Sequence, residues 1–150
     1  PDLFARENLR ERKWQRREIE NYICQPETLE SFARHFGQSM AEGPLFERVN
    51  ADRAVESMRK AIEDRVPRAA LRDSTDPWWT NVKASDEFLD LVFPEFFKGL
   101  GLRPDFRKAD YFRLVPHIPA GLISSEVVSV LDDIAEVSRK ARPVEDTTES

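Results

Sequence analysis

Between Trp14 and Glu27 the chain reads Trp-Gln-Arg-Arg-Glu-Ile-Glu-Asn-Tyr-Ile-Cys-Gln-Pro-Glu, which places Arg16 and Arg17 beside Glu18 and Glu20. On an extended backbone, carboxylates two residues apart point to one side. Such a pair suits a divalent cation bound through oxygen. Arginines grip phosphate through their planar forks. The chemistry these types could serve is the binding of a divalent cation and of phosphate. A structural reading stands beside it. On an exposed strand edge the same arginines and glutamates pair with each other, which also keeps the carboxylates ionised.

The elements that would position these groups follow from periodicity. Residues 3–12 read as a short polar helix and Lys13–Ile23 as the principal strand, with neither face cleanly apolar. Pro26 suits the first position of a helix whose stripe is Leu29, Phe32, Ala33 and Phe36, with Gly37 as its stop. Residues 38–50 read as a loop ending at Asn50, a cap for an amphipathic helix over 51–66 built on Val55, Met58, Ile62 and Val66. Pro67 breaks that helix or starts a turn through Leu71. Residues 73–85 form the longest irregular stretch. Asp86–Gly99 reads as a helix with Phe88, Leu89, Val92, Phe93, Phe96 and Phe97 on one side, bent at Pro94. Aromatic stripes at this spacing face the core. Residues 102–120 read as a loop with a short extended piece over Tyr111–Val115. Ser124 or Ser125 caps a final helix built on Val127, Leu131, Ile134 and Val137, and 142–150 read as a disordered tail. The fold class expected is mainly α, a helical domain with one or two short β-strands.

Composition narrows the function. A chain of 150 residues, 40% hydrophobic and 34% charged, can bury a real core in one domain. No apolar run approaches the ~20 residues of a membrane span and no signal peptide opens the chain, so a cytoplasmic protein with no membrane partner is expected. The single cysteine, Cys24, rules out an internal disulfide framework and follows an apolar pair, which favours a buried thiol over a nucleophile. His35 and His117 stand too far apart in sequence to suggest a zinc motif. There is no phosphate-binding loop, dinucleotide fingerprint or nucleophile elbow. A net charge of −5 argues against a dedicated nucleic-acid surface, and the basic cluster from Arg6 to Arg17 is diluted by Glu7, Glu11 and Glu18.

The segment Trp14–Glu27 resembles the "W-x-R-R-E-I-E-N-Y-L-x-x-P-E" stretch near the end of TOPRIM domains in ATP-dependent endonucleases of the OLD (overcoming lysogenization defect) family. Trp78–Leu89 resembles a later "W-x-x-x-K-G-K-D-x-L" segment, and Leu114–Pro119 with Glu126–Ile134 resembles the closing "I-P-x-E-I-x-x-v-L-D-x-I" helix. The likeness runs in order over roughly residues 12 to 135. It implies a C-terminal fragment of an α/β TOPRIM-type nuclease region, divided as 1–25 (the end of the TOPRIM-like part), 26–141 (a helical subdomain) and 142–150 (tail). It implies Glu20, with Glu18, as ligands of Mg2+ or Mn2+, phosphate contacts from Arg16 and Arg17, and Lys83 as the cation that neutralises charge on phosphorus. It also implies DNA as the substrate of the complete protein, ATP bound by an N-terminal ATPase outside this chain, and a role in anti-phage defence. The family's strand ending in Glu and its Asp-x-Asp strand have no counterpart here, so the chain alone is expected to be inactive. Ala84 and Ser85 replace the glycine and second lysine of the family pattern, which weakens the assignment of Lys83. A truncated sheet would leave an unpaired edge that favours a homodimer. The alternative is a non-catalytic helical protein-interaction domain in which Arg16, Arg17, Glu18 and Glu20 form a structural ion-pair network.

Overall fold

A computed structural model describes residues 11–41 and 49–141. These fall into two compact units, one over 14–122 and one joining 11–13 to 123–141. The expected helix over 3–12 and the tail over 142–150 lie almost wholly outside the described residues.

The larger unit is built from helices α1 (Pro26–Met40), α2 (Ala51–Glu63), α3 (Arg68–Arg72), α4 (Trp78–Asn81) and α5 (Asp90–Gly99). A π-helical turn, Ala84–Leu89, leads into α5, and 3₁₀ helices occupy Ile19–Tyr22, Lys108–His117 and Ala120–Leu122. The mainly α expectation holds. The expected strands do not appear among the described residues, and Lys13–Ile23, assigned to the principal strand, instead ends in the 3₁₀ turn Ile19–Tyr22. Asn21 fixes the turn: its Oδ1 accepts from the Glu18 N–H at 2.9 Å, a bond that needs residues three apart on one side, while its Nδ2 donates to carbonyls some sixty residues away. The supposed extended piece at Tyr111–Val115 is likewise part of a 3₁₀ helix, and the irregular stretch 73–85 contains α4.

α1 and α2 pack against each other as amphipathic helices, joined at the surface by Arg59, whose Nε and Nη2 donate to the two Glu30 oxygens at 3.0 and 2.9 Å. Asn50 caps α2 through Oδ1, which accepts from the Arg53 N–H at 2.9 Å. α5 crosses α2, where the Ser57 hydroxyl donates to the Phe96 carbonyl at 2.9 Å. The core is aromatic, as the stripe on Phe88, Phe93, Phe96 and Phe97 requires; Phe32 of α1 meets Phe93 edge-on at 5.6 Å between centroids. Pro94 withholds an N–H from the Asp90 carbonyl one turn before it. Just upstream, the Asp90 N–H bonds back to the Ser85 carbonyl with five-residue spacing, so the helical stretch read as one unit from Asp86 is in fact a π turn followed by α5.

Gly37 is not a helix stop. It lies inside α1, which runs on to Met40, and a Cβ there would stand 2.6 Å from the Asn50 carbonyl oxygen and 2.8 Å from Ala51 Cα. The glycine lets the start of α2 approach the α1 backbone.

In the smaller unit, α6 (Ser125–Lys140) is capped by Ser124, whose Oγ accepts from the Glu126 N–H at 3.3 Å. Arg12 binds Asp133 and also donates to Ser129 Oγ at 3.1 Å, both on the polar side of α6. Its apolar side leaves Leu131 and Ile134 each 59% exposed. No helix among the described residues is long and apolar enough to cross a membrane.

Gly37→Ala should destabilise the protein by ~1–3 kcal/mol, because backbone rather than a flexible side chain must yield. Urea denaturation monitored by circular dichroism measures it; an unchanged midpoint would show that α1 and α2 do not need this approach.

Candidate functional site

The 3₁₀ turn Ile19–Tyr22 is held by a single buried amide. Asn21, 1% exposed, donates from Nδ2 to the carbonyls of Trp79 (3.0 Å) and Val82 (2.9 Å), while its Oδ1 accepts from Glu18. Three of its four hydrogen-bonding positions are thereby used. Two further bonds run beside it: the Arg17 N–H donates to the Thr80 carbonyl at 3.2 Å, and Arg17 Nη1 to the Asn81 carbonyl at 3.1 Å. Sequence segments some sixty residues apart are thus stitched together, and they are the first two segments that carried the family resemblance.

Glu18 lies over the start of the π turn. Its Oε2 accepts from the Ser85 N–H at 2.9 Å and from the Ser85 hydroxyl at 2.8 Å. Ser85 Oγ in turn accepts from Lys108 Nζ at 3.2 Å, and Lys108 also lies 3.7 Å from Asp86 Oδ1. Burial alone would raise the Glu18 pKa; the two Ser85 donors and the Lys108 charge outweigh it and hold the carboxyl below its ordinary value. Asp86 is ion-paired with Lys83 at 2.5 Å, a hydrogen bond that lowers the carboxyl pKa and raises that of the ammonium.

The remaining expected residues have distinct surroundings. Arg16 Nη1 donates to the Asn21 carbonyl at 2.5 Å, and its guanidinium carbon lies 4.8 Å from the centroid of the Tyr22 ring. Neither Arg16 nor Arg17 pairs with Glu18 or Glu20 among the described residues, so the ion-pair network drawn from the sequence is replaced by arginine-to-carbonyl bonds. Glu20 is half-buried and makes no side-chain hydrogen bond or ion pair among the described residues. Burial, and then the hydrogen bond its hydroxyl donates to Asp90, raise the pKa of Tyr111, with smaller additions from the charges of Asp90, Glu20 and Asp86. Among the described residues no group of three or more His, Cys, Asp or Glu side chains is placed to hold a metal ion. The carboxylates present here do not by themselves fit a complete Mg2+ or Mn2+ site.

Comparison with protein-family models, with curated proteins and with solved structures finds no match to this chain.

Trp79 is core: it is 5% exposed and its Nε1 donates to the Ala70 carbonyl at 2.9 Å. Trp78 packs edge-on against Phe88. Cys24 is fully buried and its thiol is pushed up to about 12, chiefly by desolvation, which leaves it a small apolar filler. Lys108 escaped the sequence reading because nothing in Arg107-Lys108-Ala109-Asp110 marks it; only the turn of its 3₁₀ helix brings it to Ser85. His35 and His117, distant in sequence, have ring centroids 5.4 Å apart where α1 meets that helix.

Asn21→Ala would strand the Trp79 and Val82 carbonyls and should cost ~3 kcal/mol, read by chemical denaturation. Glu18 adds a pH dependence. Because its native pKa is depressed, its contribution is complete above the ordinary glutamate pKa and is lost as pH falls through the lower native value. The stability difference between wild type and Glu18→Gln should therefore be larger at pH 7 than at pH 3; a gap independent of pH would show that the Ser85 bonds do not depend on ionised Glu18.

Proposed function

We propose that this chain is the C-terminal helical part of a metal-dependent DNA endonuclease of the TOPRIM/OLD type, working with an ATPase elsewhere in the polypeptide and inactive by itself. The observation that supports this reading is the docking of the segment around Asn21 onto the segment around Val82. Two stretches picked out separately, each by its own resemblance, turn out to be partners through side chains that belong to the matching motifs. In this reading the turn Glu18–Tyr22 has two jobs. Asn21, Arg17 and Glu18 fix its position, while Glu20 stays uncommitted, so that its carboxylate would hold Mg2+ or Mn2+ jointly with acidic groups supplied by the rest of the polypeptide. Arg16 and Arg17 act as positioning residues, since their hydrogen bonds are spent on backbone carbonyls. In this reading the ammonium of Lys108, which donates to Ser85 at the residue that replaces the family pattern's second lysine, serves in that lysine's stead. Lys83 is tied to Asp86 but remains 41% exposed, so it can still meet an approaching phosphate.

A second reading, a non-catalytic helical interaction domain, has its own support in the exposed apolar side of α6. On that reading the bonds of Arg16, Arg17 and Glu18 serve stability alone.

One substitution separates the two. In the complete polypeptide, Glu20→Gln should abolish Mg2+- or Mn2+-dependent nicking of plasmid DNA while leaving the melting temperature within about 2 °C, since the swap is isosteric and breaks no side-chain bond among the described residues. Full nicking by the variant would remove Glu20 from the metal site. A stability loss with no change in nicking would favour the interaction domain.

A further inference from the structure

The 3₁₀ helix Lys108–His117 has three residues per turn, so it sorts its side chains onto three faces. Tyr111 and Leu114 form the buried face, 3% and 0% exposed. Phe112 and Val115 form an outward face, 69% and 54% exposed. Between them lies the edge that carries Arg113. A phenylalanine more than two-thirds in water beside a cation is unusual for a chain that buries most of its other aromatics.

Phe112 and Arg113 line a groove of 850 Å³ against α1, together with His35 and His117. The groove shares Phe32, Phe36, Met40 and Arg113 with a neighbouring depression of 530 Å³ whose other wall carries Arg103, Asp105 and Phe106. That depression shares Pro104 and Phe106 with a third, lined by Arg107 and Lys108. The three adjoin as one track that ends at Lys108, the lysine bound to Ser85. Cations outnumber carboxylates along it. In a protein of net charge −5, the first two depressions present Arg103 and Arg113 against a single carboxylate, Asp105, and the third presents Arg107 and Lys108 against Asp90. Arg103 and Arg113 make no hydrogen bond or ion pair among the described residues; Arg113 lies over the Phe106 ring at 5.5 Å.

We infer that this track binds single-stranded nucleic acid, with a base stacked on Phe112 and backbone phosphates held by Arg113, Arg103 and Lys108. An exposed aromatic beside unpaired guanidiniums is the combination that single strands use: each base offers a ring face and each linkage a phosphate. An apolar peptide would use Phe112 but leave the arginines unpaired. The choice of polymer rests on the nuclease reading above; the track itself does not.

The test is fluorescence anisotropy of the 150-residue chain with a labelled 20-nucleotide oligothymidylate at two salt concentrations. Wild type should bind, more weakly as salt rises. Phe112→Ala and Arg113→Gln should each weaken binding about tenfold or more, and Arg113→Gln should also lower the salt slope by about 0.7. Both side chains are at the surface, so circular dichroism should show unchanged folding. Lys60→Gln, at an exposed cation that lines none of the three depressions, should bind like wild type. The assay reads binding without cleavage, which keeps this result separate from the nicking experiment. Absence of binding at low salt, or binding indifferent to both substitutions, overturns the inference. Heparin competing equally well against wild type and Phe112→Ala also overturns it, since that would reduce the track to charge alone.

Discussion

The larger unit depends on Asn21. A buried side-chain amide is costly unless its donors and acceptor are used, and here the Nδ2 donors meet the Trp79 and Val82 carbonyls while Oδ1 caps Glu18. Those bonds decide several other features. They favour a 3₁₀ turn over a strand, they bring Glu18 to the π turn, and they fix where the chain enters α1. The π turn has a related origin: its first residues supply the N–H and hydroxyl that Glu18 accepts from, and the widened spacing lets the Asp90 N–H reach back to Ser85.

Much of the helical fold was legible because its signals are redundant. Pro26 at the head of α1, Asn50 and Ser124 as caps, and the phenylalanine stripe of α5 each combine a local preference with the period of burial. The failures share a cause. The alternation in Lys13–Ile23 describes a strand well, but the amide of Asn21 finds its partners some sixty residues away, and no local pattern records that. Gly37 was misread for the same reason: glycine ends helices often, yet here it serves a neighbour's backbone.

The candidate site was legible in part. Glu18, Arg16 and Arg17 stand out by type and spacing and Lys83 only by the resemblance, and all four lie on the joined segments. Their partners were not foreseeable. The expected glutamate–arginine pairs give way to bonds with carbonyls and with Ser85, which the sequence reading had treated only as a departure from a pattern. Lys108 and the meeting of His35 with His117 arise from the path of the 3₁₀ helix, and tertiary adjacency of that kind leaves no periodic trace.

Cys24 has a practical consequence. Its thiol is wholly enclosed and stays protonated across the neutral range, so maleimide and iodoacetamide chemistry has no ready target in the folded chain. A cysteine introduced at an exposed position would therefore be the single reactive handle. Dyes, spin labels and crosslinkers can be placed one at a time without first removing the native thiol from the core.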